Sequence, residues 1–348
     1  MNFKRISFYL SLFCFPISFL SFINILYASY FDYFLSINTY FITLTVSTIL
    51  GFGLLYYGKK SPKNINFIEQ LIFIISAYIL SSVLISIPFY LSNYQVTFLN
   101  SIFESISGLT GTGFSIFKDI KYLDPTLILW RSSSQWIGGL FFLFFLIIIF
   151  SNKSFNYKMT NLTYSGDNNF NSENNIKDNL IRIFIIYSLL SISILSLLNL
   201  SGVRLFNSLN LSMTLVSGGG FLPTETIGKI ISSNFQKIIL IFSFLVSLLN
   251  LYLLFNIFNK NTLIKEHKED LYLIVISIVF CSLIYFNNYD GLDIIISVTS
   301  SLANSGLTIM ESDNNLSLYF LLLSIIGGSI VSNSSGINSP DNLSTVRD

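Results

Sequence analysis

Eight stretches of this chain run for about the thickness of a membrane with almost no charged side chain, and that limits the fold more than any single motif. A spanning helix needs roughly 20 apolar residues, because the hydrocarbon layer is about 30 Å thick and a helix rises about 1.5 Å per residue. The windows are residues 6–31, 33–58, 70–91, 125–152 (interrupted only by Arg131), 183–203, 238–259, 271–289 and 314–340. Asp32 alone separates the first pair. The first window follows Lys4 and Arg5, but 26 uncharged residues exceed a signal-peptide core of about 7 to 15. It is kept as a membrane helix. With 11% charged and 52% hydrophobic residues, where soluble domains carry about 25% charged, a soluble globular enzyme is excluded.

The few charges orient the chain. If the N-terminus is cytoplasmic, 13 of the 19 basic residues fall on the cytoplasmic side and only Lys118, Lys121, Arg204, Lys229 and Lys237 outside. The positive-inside rule therefore predicts both termini in the cytoplasm of a multi-pass inner-membrane protein. A net charge of +1 gives no electrostatic footprint for nucleic acid. Cys14 and Cys281 sit in apolar runs and His267 in a charged loop, so neither a disulfide framework nor a Cys/His metal site is expected. Residues 153–180 are polar and Asn-rich, and read as a cytoplasmic linker; its Asn161-Leu162-Thr163 sequon lies on the wrong side for glycosylation.

Three external connections are too apolar to be ordinary loops: 98–117, 205–224 and 294–310. Each ends in a small-residue cluster, Ser107-Gly-Leu-Thr-Gly-Thr-Gly-Phe114, Val216-Ser-Gly-Gly-Gly-Phe-Leu-Pro223 and Leu302-Ala-Asn-Ser-Gly-Leu-Thr308. About 10 to 12 residues of helical pattern precede each cluster, roughly half a membrane in length. The expected fold is thus all-α and integral to the membrane: two leading helices, then three tandem units of span, re-entrant half-helix and span. The boundaries are 1–60 for the leading pair, 66–152, 181–260 and 268–338 for the repeats, and 339–348 for a polar tail.

Non-helical backbone is tolerated at membrane depth only where it is buried in protein or lines a water-filled cavity, so three such segments should share one centre. Glycine admits positive φ and lets carbonyls be aimed together, while threonine adds an uncharged oxygen. Such oxygens can replace the hydration shell of a cation. Half-helices entering from outside also point their negative ends at the centre. Close helix packing is the competing account of small residues in membranes, and it is preferred for Gly51-Phe52-Gly53 and Gly138-Gly139.

Phe103-Glu-Ser-Ile-Ser-Gly-Leu-Thr-Gly-Thr-Gly113 followed by Trp130-Arg-Ser-Ser-Ser-Gln-Trp-Ile-Gly-Gly139 resembles the first pore repeat of the Trk/Ktr/HKT superfamily of potassium transporters. The later clusters match more loosely. The resemblance implies a selectivity filter from Thr110, Gly111, Thr112 and Gly113, from Ser217, Gly218, Gly219 and Gly220, and from Asn304, Ser305 and Gly306, holding K+ on backbone carbonyls. In plant relatives of that family a serine at the first filter position goes with sodium transport, so the resemblance implies potassium over sodium from Gly113. The stretch Ile326-Gly-Gly-Ser-Ile-Val-Ser-Asn-Ser-Ser-Gly336 resembles the family's break in the last helix of repeat three, which implies a gate at Gly327, Gly328, Ser332, Asn333, Ser334, Ser335 and Gly336. Further implications are a homodimer in lipid and a cytoplasmic nucleotide-binding ring as regulator. No cofactor is expected in this chain beyond K+ as the transported ion.

The family pattern has a fourth repeat, and the polar stretch 338–348 after that break is not expected to begin one. The alternatives are a fragment, a protein completed by a second chain, or a shorter assembly. Glu104, in the first half-helix, either orients the filter by accepting backbone N–H bonds or reaches external water. Arg131 is a candidate counter-ion for it or an interfacial anchor, and Gln135 a third supporting residue. External acids Asp119, Asp124, Glu225, Asp290, Asp293, Glu311 and Asp313 either concentrate cations at the mouth or are solvated loop charge. Potassium uptake down the electrochemical gradient, without enzymatic chemistry, is the expected function. A non-conducting fragment or assembly subunit is the alternative.

Overall fold

Apolar length, interrupted by short polar turns, sets the architecture of the computed structural model, which describes residues 3–61, 66–150, 173–248, 268–285, 289–309 and 314–333. Among these residues the secondary structure is helical, with two 3-10 turns and no strand. The first two helices, α1 (Phe3–Tyr30) and α2 (Phe34–Gly58), form a hairpin turned at Asp32, whose φ is 58°. Then the order long, short, long occurs three times: α3 (Phe67–Tyr90), α4 (Phe98–Thr110) and α5 (Pro125–Phe150); α6 (Glu173–Leu200), α7 (Leu205–Ser217) and α8 (Asn234–Leu248); α9 (Lys268–Tyr285), α10 (Gly291–Leu302) and α11 (Asn314–Asn333).

Within the described residues, five helices are long and apolar enough to cross a membrane: Phe3–Tyr30, Ser36–Gly58, Phe67–Tyr90, Pro125–Ile148 and Leu180–Leu200. The other three expected spans correspond to α8, α9 and α11, described over shorter apolar lengths. The three short helices have 13, 13 and 12 residues, about 18 to 20 Å at a helical rise.

Close approach in the hairpin depends on glycine. A Cβ on Gly58 would stand 2.5 Å from the Phe8 nitrogen, whereas Gly53 has nothing within 4 Å and Gly51 only the Cys14 and Phe15 side chains at 3.2 Å. Phe13, Phe73, Phe141 and Phe145 pack together where α1, α3 and α5 meet, Phe13 stacked on Phe145 and the pairs Phe13–Phe73, Phe13–Phe141 and Phe73–Phe145 edge to face. Arg5 at the start of α1 pairs with Glu69 at the start of α3 at 3.3 Å, as two helices beginning on one side of the layer should. The Trp130 indole N–H donates to the Ile85 carbonyl at 3.0 Å and ties α5 to α3.

Each short helix is cradled by its own pair, and α5 and α8 also reach the next unit: α5 packs on α7, and α8 on α10. Gly138 fits α5 to the end of α4, where a Cβ would be 2.2 Å from the Leu109 carbonyl oxygen; Gly139 lies against the Tyr187 hydroxyl and Ser217.

Two expectations change. The polar linker does not extend to residue 180, because α6 already starts at Glu173: a run of Glu, Lys and Asn carries the apolar helix on past its lipid-facing part. The last helix of the third unit is not broken at Gly327 and Gly328; α11 runs on to Asn333. The glycine there serves packing, since a Cβ on Gly327 would lie 2.1 Å from the Leu302 carbonyl oxygen at the end of α10. Ser334, Ser335 and Gly336, like residues 151–172 and His267, lie outside the described residues.

Candidate functional site

The three short helices end alike, because each is stopped by a residue in the left-handed region. Gly111 caps α4 at φ 72° and Gly218 caps α7 at φ 67°. After α10 the same turn falls on Asn304 at φ 57°, with Ala303 between. The capping bonds run from Gly111 N–H to the Gly108 carbonyl at 3.1 Å, from Gly219 N–H to Thr214 at 2.9 Å and from Ser305 N–H to Ser300 at 3.0 Å. Such a cap consumes only part of the orphan carbonyls at a helix end, and the negative end of each dipole faces the segment that follows.

The three segments meet. A Cβ on Gly113 would lie 2.7 Å from the Gly220 Cα, and one on Gly220 would lie 2.7 Å from the Ser305 carbonyl oxygen. Backbones this close leave no room for a side chain at either glycine. Gly113 and Gly306 both have positive φ, at 77° and 68°. Gly306 is exposed and has no described atom within 4 Å of its Cβ position. The Ser305 hydroxyl donates to the Gly219 carbonyl at 2.6 Å, joining the second and third segments directly.

Behind this meeting point stands one face of α5. Arg131 and Glu104 are 1% and 0% exposed, and Arg131 Nε donates to Glu104 Oε1 at 2.8 Å. The same carboxylate accepts the Ile116 backbone N–H at 2.8 Å and the Ser115 hydroxyl at 3.0 Å, and Arg131 Nη2 donates to Ser115 Oγ at 2.9 Å. Glu104 is therefore buried with Arg131 as its counter-ion, neither reaching external water nor leaving its partner at the interface. The guanidinium also lies 4.3 Å from the centre of the Phe221 ring. One turn on, Gln135 Oε1 accepts the Phe221 N–H at 3.1 Å, and its amide fills the space where a side chain at Gly219 would go. So α5 fixes its own unit's segment through Glu104 and the next unit's through Phe221.

The hydroxyls behave differently from one another. Thr110 donates to the Ile106 carbonyl, Thr112 approaches Ser107 Oγ at 3.1 Å, and Ser217 donates back to Thr214 at 2.9 Å. Thr110, Thr112 and Asn304 are exposed. Of the outer acids, Glu225 is hydrogen-bonded to Lys229, which holds its carboxyl below the usual range, and Asp293 meets Lys237 at 2.5 Å across α8 and α10. Those two are locally balanced; Glu311 and Asp313 are outside the described residues. Sequence reasoning missed Ser115, Phe221 and Thr214, whose hydroxyl donates to the Phe221 carbonyl at 2.9 Å. An aromatic directly after a glycine run was the available signal for Phe221.

Residues 36–259 match the family model described as TrkH, cation transport protein. The chain is similar to an uncharacterized cation transporter of Methanocaldococcus jannaschii (24% identity, covering 82% of this chain and 60% of the relative) and to the Trk system potassium uptake protein TrkG of Escherichia coli (26%, covering 87% and 66%). It thus spans about two thirds of the length of these relatives, or less. Its fold resembles the crystal structure of the potassium transporter TrkH from Vibrio parahaemolyticus, with a TM-score of 0.75 at 18% identity over 93% of this chain and 70% of that one. With the match running over most of the chain, from α2 through the whole of α8, it belongs to the TrkH family of cation transport proteins.

Proposed function

We propose that the chain forms part of a potassium-uptake pathway in the inner membrane, with both termini cytoplasmic. The observation that carries this reading is the contact of Gly113, Gly220 and Ser305 backbones at the negative ends of three half-membrane helices. Carbonyls of residues 110–113, 217–220 and 304–306 are the ion's substitute hydration shell, and dipoles in place of carboxylates favour a weakly hydrated monovalent ion. The membrane potential supplies about 2.3 kcal/mol per charge for each 100 mV, enough for roughly fiftyfold accumulation. Potassium is the substrate, and the reading also takes in a homodimer in lipid and a cytoplasmic nucleotide-binding regulator.

A second reading is favoured by one feature. The Cβ side of Gly306 opens onto space with no described atom within 4 Å, while Gly113 and Gly220 abut neighbours. On this reading the chain conducts only when a further wall, from another chain, covers that side.

The test is growth of a potassium-uptake-deficient bacterium on micromolar potassium, with the chain expressed alone and with the genes beside its own. Rescue that is lost in G113S and G220S supports the pathway. Rescue only in the presence of a second gene that encodes membrane-spanning segments supports the second reading, whereas a requirement for a soluble nucleotide-binding protein stays within the first; no rescue in either setting, with the protein present in the membrane, overturns the first.

A further inference from the structure

Ser305 breaks the habit of the helix it follows. Ser297, Thr299 and Ser301 each turn the hydroxyl back onto a carbonyl four residues earlier, at 2.7 to 2.9 Å, as hydroxyls in membrane helices do to satisfy themselves locally. Ser305 instead donates across 86 residues to the Gly219 carbonyl at 2.6 Å, and the side chain is 4% exposed. Its own carbonyl oxygen sits against Gly220, so Ser305 holds the 219–220 peptide from two directions.

The rest of that peptide is held as well. The Gln135 amide packs against Gly219, the Phe221 N–H is bound by Gln135 and the Phe221 carbonyl by Thr214. In this stretch the Gly219 oxygen is the group whose direction depends on the third segment. A carbonyl with two lone pairs can accept the hydroxyl and still face an ion, but the hydroxyl fixes where the second lone pair points. Glycine at 218, 219 and 220 offers little resistance of its own to a rotated peptide.

We propose that Ser305 is a positioning residue: its hydroxyl sets the direction of the Gly219 carbonyl, so that cation discrimination in the second segment is governed from the third. This rests on the filter reading of the three segments. It also gives the Ser305 hydroxyl a different task from the backbone carbonyls around it. Its proton goes to a protein oxygen, and its effect on the ion passes through Gly219.

The experiment compares S305A, S305T and G220S in the full chain, expressed in the uptake-deficient bacterium, by rubidium tracer uptake with sodium as competitor and with membrane abundance measured for each. S305A should lose potassium-over-sodium discrimination by about tenfold, the scale of one hydrogen bond, with the maximal rate less affected, and S305T should restore it. S305A with unchanged discrimination, while G220S alters discrimination or abolishes uptake, overturns the proposal and leaves the filter reading intact. Uptake and discrimination both unchanged in G220S overturn the filter reading and this proposal with it. If S305A abolishes uptake altogether, recovery in S305T supports the hydroxyl's role, and an equally inactive S305T refutes it.

Discussion

Replacing Arg131 by methionine removes the counter-ion of a carboxylate that is 0% exposed, while keeping much of the side chain's apolar volume. Glu104 retains the Ile116 N–H and the Ser115 hydroxyl but loses its 2.8 Å contact with the guanidinium. Leaving one member of a buried pair without its partner costs about 3–5 kcal/mol. Loss of the Phe221 ring contact adds about 1 kcal/mol. On the entropy scaling of ordinary domains, a chain of this length should lose about 5–8 °C in its melting temperature. The double variant E104Q/R131M removes the stranded charge, and it should recover about half of that loss. Thermal unfolding in detergent, followed by the folded fraction on size-exclusion chromatography, measures all three variants on one scale. The reasoning fails if R131M melts with the wild type, or if the double variant is less stable than R131M. Either outcome would mean that the carboxylate is not desolvated as its burial implies.

Two further substitutions test packing. G53A should be neutral or stabilising by up to about 1 kcal/mol, since alanine is the better helix former and nothing lies within 4 Å; G58A should destabilise by about 1–3 kcal/mol, because its Cβ would meet the α1 backbone at 2.5 Å. The same unfolding assay checks both, and equal melting of the two would contradict the hairpin contact. G327A should likewise reduce stability by about 1–3 kcal/mol, as the added methyl would push on the Leu302 carbonyl at 2.1 Å. A G327A protein as stable as wild type but altered in transport rate would restore the hinge that the continuous α11 argues against.

What the sequence made readable was local. The ends of α4 and α7 fall where glycine follows a helical run, because only glycine takes the left-handed turn without strain, and charge-free length separates long helices from short ones. The pairing of Glu104 with Arg131 was within reach because the same repeat supplies both. Contacts between repeats were not readable in this way. Nothing in the spacing of Gln135 and Phe221, or of Ser305 and Gly219, encodes that one unit's helix supports the next unit's segment. The Gly327-Gly328 pair misled because small residues permit either a bend or a close approach, and only the position of Leu302 decides between them.

The neutralised pair behind the first segment has an electrical consequence. Opposite formal charges 2.8 Å apart carry no net charge together, so behind the meeting point the wall presents dipoles in place of a free charge. A dipole's pull falls off with distance faster than that of a net charge, so whatever attraction this wall exerts acts at close range only.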